Sequence, residues 1–206
     1  MGTSTEPTLA VVLAAGGGSR FGGPHHKLLA PLNGERVAQT AIRHALDARI
    51  GPVVVVTGAA DLTEVLAAVA GHDHPDGAPT ERPHRIHNAR WADGQATSLQ
   101  LAVAAARRLR VDAVVVGLAD QPFVDPVAWR RVAASGSRIA VATYDGVRRN
   151  PVRLHRSVWP LLPTTGDEGA RSVIRLRPEL VEEVPCPGSP ADIDTLEDLA
   201  SWQNRS

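Results

Sequence analysis

Three observations predict an α/β fold with a mostly parallel sheet. Leu9 to Leu13, Pro52 to Val56 and Val111 to Gly117 are apolar throughout, as suits strands covered on both faces. Segments with apolar residues at helical spacing separate them, so strand and helix alternate as in βαβ units. With 206 residues and 43% hydrophobic content, the chain can bury one full core and would be cramped as two domains.

Taken in order, residues 1–8 are short and polar and are expected to form a flexible tail ahead of one domain at 9–206. They lack the basic start and apolar run of a signal peptide, and no apolar stretch reaches membrane length, so a cytoplasmic location is expected. The strand at Leu9 then empties into Leu13, Ala14, Ala15, Gly16, Gly17, Gly18, Ser19 and Arg20, followed by Phe21 and a run ending at His25, His26 and Lys27. Three glycines can take positive φ and let backbone N–H groups converge on an anion, while Arg20 and Lys27 add charge for a triphosphate. A solvated turn with two surface cations is the bland alternative. Neither the dinucleotide fingerprint, which places Phe21 where its last glycine belongs, nor the Walker loop, which places Pro24 at its lysine, fits this register.

Val37 to Ala48 carries Val37, Ala41, Ile42, Ala45 and Ala48 on one helical face, and Leu62, Val65, Leu66 and Val69 repeat the pattern before Gly71. Gly71 to Pro83 reads as loop; His72 and His74 in it suit a solvated surface better than a metal site, since no third imidazole is placed to join them. A short strand from Arg85 leads through Asn88, Trp91 and Gly94 into a helix with Leu99, Ala102, Val103, Ala106 and Leu109 on one face, for which Thr97 or Ser98 is the expected N-cap. After the strand Val111 to Gly117 comes Leu118-Ala119-Asp120-Gln121-Pro122. A carboxylate at the end of a parallel strand sits where open α/β sheets place ligands, which makes Asp120 the leading site residue.

Val127 to Ala134 reads as a helix and Ile139 to Thr143 as a strand. A loop is expected over Tyr144 to Asn150, and then a strand at Pro151 to Leu154 whose proline argues for the sheet edge. Gly166 to Arg171 opens a helix at Ser172 to Leu176; Leu180 to Val184 is strand-like; and Asp192 to Leu199 leads into a short helix, with Asp194 open to an N-cap reading. Lys and Arg total 22 against 22 Asp and Glu, so nucleic acid and membrane are not expected partners. Cys186, flanked by prolines and alone in the chain, is read as structural.

Leu13-Ala14-Ala15-Gly16, Gly18, Arg20 and Lys27 resemble the signature loop of the molybdenum cofactor nucleotidyltransferases. So, at matching order, do Asn88, Trp91, Gly94 and Ser98, the Leu118 to Pro122 turn, Gly166 to Arg171, and Asp192 to Leu199. The resemblance implies a Rossmann-like three-layer sandwich of nucleotide-diphospho-sugar transferase type, with one antiparallel strand in a mostly parallel sheet. It implies nucleotide contacts from Leu13, Ala14, Ala15, Gly16, Gly18, Arg20, Lys27, Asn88, Gly94 and Ser98 and catalytic roles for Arg20, Lys27 and Asp120. Mg²⁺ would be held by Asp120 and Asp194, and the acceptor contacted by Gln121, Pro122, Asp167 and Arg171. Where relatives have Gly-His-Pro this chain has Arg149-Asn150-Pro151, and Leu196 replaces a proline. The implied reaction moves CMP from CTP to molybdopterin carrying its metal, with a recipient molybdoenzyme as a further partner. Ala15 favours the cytidylyl branch, because the guanylyl branch tends to have glycine there. Transfer from GTP, transfer to a sugar or polyol phosphate, and a cofactor carrier without catalysis are the alternatives.

Overall fold

The computed structural model describes residues 6–22, 25–71 and 81–203. The first half contains β1 (Thr8–Ala14), a small hairpin of β2 (Pro31–Leu32) and β3 (Glu35–Arg36), α1 (Val37–Asp47), β4 (Val53–Thr57), α2 (Thr63–Ala70) and β5 (His84–His87). Then follow α3 (Gln95–Leu109), β6 (Ala113–Leu118), α4 (Pro126–Ala133), β7 (Ile139–Tyr144), β8 (Val147–His155), α5 (Arg171–Leu176), β9 (Val181–Pro185) and α6 (Leu196–Gln203). Among the described residues seven strands form one sheet in the order β5-β4-β1-β6-β8-β7-β9, and only β8 runs antiparallel to its neighbours.

Side-chain alternation along β1 divides the molecule into three layers. Leu9, Val11 and Leu13 pack with Leu99 and Val103 of α3 and with Trp159 and Val173. Ala10, Val12 and Ala14 pack with Ile42 and Leu46 of α1, Val65 of α2 and Trp129 of α4. Both faces are therefore apolar, which is why the strand reads as an unbroken apolar run; each buried Val or Leu contributes about 1.5–3 kcal/mol. A third, smaller core joins Phe21, Ala30, Leu32, Val37, Ile193 and Leu199, with Phe123 and Trp202 against it.

The structure corrects four expectations. The end of the expected tail is docked: Thr8 is buried in β1, Pro7 O accepts from Asp112 N at 2.8 Å, and Glu6 pairs with the buried Arg153 guanidinium. The expected loop over Tyr144 to Asn150 is a hairpin, because Asp145 and Gly146 both take positive φ, 49° and 78°, and turn the chain in two residues. Pro151 lies in an interior strand rather than at the edge. Pairing of β7 with β8 passes from Val141↔Val152 to Ala142↔Arg149, and pairing with β6 ends at Val152, so Pro151 sits in a bulge where no ladder bond needs its missing N–H. Neither Thr97 nor Ser98 caps α3, which starts directly after Gly94. His72 and His74, like Gly23 and Pro24, lie outside the described residues. No helix among the described residues is long and apolar enough to cross a membrane.

Candidate active site

β1 and β6 lie side by side and parallel, with β4 on the far side of β1. The chain leaves β1 for one flank of the sheet and returns later to build the other, so the loops after β1 and β6 diverge and open a crevice at their C-terminal ends. Ala119 N donates to Leu13 O at 3.0 Å, keeping the two exits together. Gly16 to Arg20 thus faces Asp120 across the crevice.

Four charged residues meet there. Lys27 Nζ donates to Asp120 Oδ2 at 2.6 Å and to Asp194 Oδ1 at 2.7 Å, and Arg20 lies 3.0 Å from the other Asp194 oxygen. Burial pulls the Lys27 ammonium down, but the two carboxylates outweigh it and raise it overall, so the lysine stays charged. The glycine loop is braced from beneath by His26. Leu28 N donates to His26 Nδ1 at 3.3 Å, which leaves Nε2 to carry the proton and donate to Gly16 O at 2.9 Å. Of the three consecutive glycines only Gly18 takes positive φ, 62°, and a Cβ there would stand 3.0 Å from the His26 ring.

The crevice has two connected halves. A cavity of about 230 Å³ is lined by Gly16 to Arg20, Lys27, Asp120 and Asp194; one of about 290 Å³, sharing Leu13, Gly16, Gly17 and Asp120, is lined further by Ala15, Trp91, Gln95, Ser98, Leu118 and Asp167. The first half carries Arg20, Lys27, Asp120 and Asp194, while the second mixes apolar Leu13, Ala15, Trp91 and Leu118 with polar Gln95, Ser98 and Asp167. A profile described as a MobA-like NTP transferase domain matches residues 10–184. The chain belongs to the MobA-like NTP transferase family.

Two curated relatives of this family member are purine catabolism protein PucB of Bacillus subtilis (strain 168), 30% identical over 92% of this chain and 93% of that protein, and nicotine blue oxidoreductase of Paenarthrobacter nicotinovorans, 30% identical over 97% and 98%. Among solved structures, Rv0371c of Mycobacterium tuberculosis H37Rv is 25% identical and superposes with a TM-score of 0.76 over 98% of this chain and 100% of that one. A manganese complex of the same mycobacterial protein superposes at 0.72 over 97% and 100%. The present chain is accordingly a nucleotidyltransferase with a nucleoside triphosphate substrate.

Within this MobA-like domain the expected site residues separate into two groups. Leu13, Ala14, Ala15, Gly16, Gly18, Arg20, Lys27, Ser98, Asp120, Asp167 and Asp194 line the crevice. Arg171 lines a narrower adjoining slot with Gln95, Asn150 and Ile174. Asn88 and Gly94 stand behind the wall. The Asn88 amide donates to Thr97 Oγ1 and Ser98 Oγ, both at 2.8 Å, and Gly94 packs on Gly166. Gln121 and Pro122 are also buried. Gln121 Nε2 donates to Asp192 Oδ1 at 2.9 Å, and its Oε1 accepts from Asn150 at 3.1 Å. Asp194 is not the N-cap of α6: Thr195 Oγ1 accepts from Asp198 N at 3.1 Å and Asp198 Oδ2 from Thr195 N at 2.8 Å, a reciprocal capping box. That pattern was readable as Thr195-Leu196-Glu197-Asp198; the brace from His26 and the wall from Gln95 carried no comparable signal.

Asp120 and Asp194 already share one cation, the Lys27 ammonium, so their oxygens converge on a point. Among the described residues no group of three or more His, Cys, Asp or Glu comes together as a metal cage. Two converging carboxylates beside the glycine loop nonetheless fit a hard dication that takes its remaining ligands from other oxygens and water.

Proposed function

We propose that this transferase moves CMP from CTP to molybdopterin carrying molybdenum, releasing pyrophosphate and forming molybdopterin cytosine dinucleotide. The observation that carries the reading is the convergence of Arg20, Lys27, Asp120 and Asp194 on the Gly16 to Ser19 loop. In the reaction an oxygen of the acceptor phosphate forms a bond to the α-phosphorus, and the bond from that phosphorus to the bridging oxygen breaks. Pyrophosphate departs with the electron pair, and no protein nucleophile takes part. The chain's contribution is to place the triphosphate and neutralise charge on the leaving group through Arg20, Lys27 and the loop amides. Mg²⁺, held by Asp120 and Asp194, would supply further charge neutralisation at the phosphates. The manganese complex of the mycobacterial relative supports a divalent ion here.

The choice of cytosine rests on Ala15, which is buried and lines the same cavity as Trp91, at the position where the guanylyl branch tends to have glycine. The acceptor rests on the resemblance carried by Gly166 to Arg171 and Asp192 to Leu199. The names of the two curated relatives point to purine catabolism and to nicotine blue, so base and acceptor are argued from this chain's own residues.

Pyrophosphate release should be compared for CTP, GTP, ATP and UTP with Mg²⁺, with and without molybdenum-loaded molybdopterin. Release from CTP only with the cofactor is expected. A preference for GTP would overturn the use of Ala15, release with a sugar or polyol phosphate instead would overturn the acceptor, and cofactor binding without any release would favour a carrier.

A further inference from the structure

The carboxylates of Asp120 and Asp194 come from distant parts of the chain, and Asp194 lies beyond the matched family region, which ends at residue 184. Contacts of the C-terminal segment have to hold it. Before Asp194 the segment is sewn to the Asp120 loop: Ile193 N donates to Asp120 O at 2.9 Å and Ser189 N to Phe123 O at 3.2 Å. After Asp194 the connection runs through α6. Asp198, in the first turn, accepts from Asp194 N at 3.0 Å, so the helix N-terminus fixes the aspartate's backbone. At the other end of α6, Trp202 stacks on Phe123 with ring centroids 3.9 Å apart and planes inclined by 23°.

We propose that the Phe123–Trp202 stack is a clasp that sets Asp194 against Asp120 and thereby sets the affinity of the pair for a divalent cation. Phe123 follows Asp120 within the same turn, and Trp202 sits on the helix that starts after Thr195. The eight residues of α6 form a rod about 12 Å long. Fixing its far end to Phe123 and its near end to Asp194 closes a loop through both carboxylate-bearing segments. Leu199 and Gln203 seat the same helix, the latter donating to Pro31 O at 2.9 Å, so losing one ring loosens the helix without removing it. Phe123 and Trp202 are positioning residues, since neither lines the crevice.

The inference rests on the reading that Asp120 and Asp194 hold the metal, and the experiment separates the two. Mn²⁺ binding to the full chain is measured by electron paramagnetic resonance, with Mn²⁺ alone as the probe, for wild type, Asp194→Asn, Trp202→Ala, Trp202→Phe and Phe123→Leu. Expected are a loss of at least about tenfold in affinity for Asp194→Asn and Trp202→Ala, an intermediate loss for Phe123→Leu, and recovery to near wild type in Trp202→Phe, which restores a stacked ring. In turnover, Trp202→Ala should raise the metal concentration needed for half-maximal rate while leaving kcat at saturating metal close to wild type. Wild-type Mn²⁺ affinity in Trp202→Ala, alongside a weakened Asp194→Asn, would overturn the clasp alone. Unchanged affinity in Asp194→Asn would overturn the metal reading and the clasp with it. If Trp202→Ala does not fold, Phe123→Leu decides, and wild-type affinity there overturns the clasp.

Discussion

One ammonium, that of Lys27, holds two carboxylates delivered by separate loops, with the lysine side chain 12% exposed. The carboxylates keep some contact with water, so losing the lysine should cost less than about 2 kcal/mol of stability. Its loss from the charge-neutralising set should lower kcat/KM by about a hundredfold or more. Steady-state kinetics and denaturant melts of Lys27→Ala check both halves of that expectation. His26 supplies a pH-dependent counterpart. Burial, and after it the nearby Lys27 charge, lowers its imidazole below the ordinary 6.5, partly offset by the bond to Gly16 and by Asp120. The fold therefore favours the neutral ring: its contribution is complete above about pH 6.5 and declines as pH falls through the lowered value. Protonation leaves the Nε2–H bond to Gly16 O in place but removes the Nδ1 lone pair that accepts from Leu28 N beside Lys27. KM for the nucleotide should therefore rise on acidification in wild type, while His26→Gln should show a flatter profile; parallel profiles would remove the His26–Leu28 contact from the account. The position of Asp120 at the crevice was legible in the sequence, because the end of a parallel strand in an open α/β sheet opens onto such a crevice. The contact of Lys27 with Asp120 and Asp194 was not, because it depends on how three loops converge.

At the scale of elements, Gly94 is the joint between the crevice wall and α3. Its φ of 104° and ψ of 167° suit glycine alone, and a Cβ would meet Gly166 backbone at 2.4 Å. Gly94→Ala should therefore cost about 2–3 kcal/mol, read from denaturant unfolding, and should weaken nucleotide binding by displacing Ser98. The central strands were legible because both faces of the sheet are covered and the apolar runs have no competing period. The Tyr144 to Asn150 segment was misread because Asp145-Gly146 is a complete two-residue hairpin turn, so polar residues on either side are paired strand rather than loop. Pro151 misled for a related reason: a proline excludes a ladder bond, and a bulge removes the need for one as well as an edge does. Thr97 looked like a cap, yet its hydroxyl donates to Gly94 O at 2.8 Å and accepts from Asn88, tying the wall together from inside the first turn.

Across the whole molecule, two helical layers fix the sheet, and the smaller third core brings Phe21, Phe123 and Ile193 together beside the crevice. The charged site is thus assembled by apolar contacts just outside it, a juxtaposition that periodicity along single segments does not reveal. A ligand bound at that junction stabilises the fold by mass action. At a hundred times its Kd, CTP with Mg²⁺ should add about 2.7 kcal/mol. In a chain of this size that corresponds to a rise of about 5–10 °C in Tm by calorimetry, and an unshifted transition would argue against nucleotide binding. The central claim is that the cluster around the glycine loop carries nucleotidyl transfer. Its most direct test is pyrophosphate release from CTP with Mg²⁺ and molybdenum-loaded molybdopterin, wild type against Asp120→Asn. The account expects cofactor-dependent release by wild type and a loss of about a hundredfold or more in the variant. Equal rates in the two proteins would contradict it.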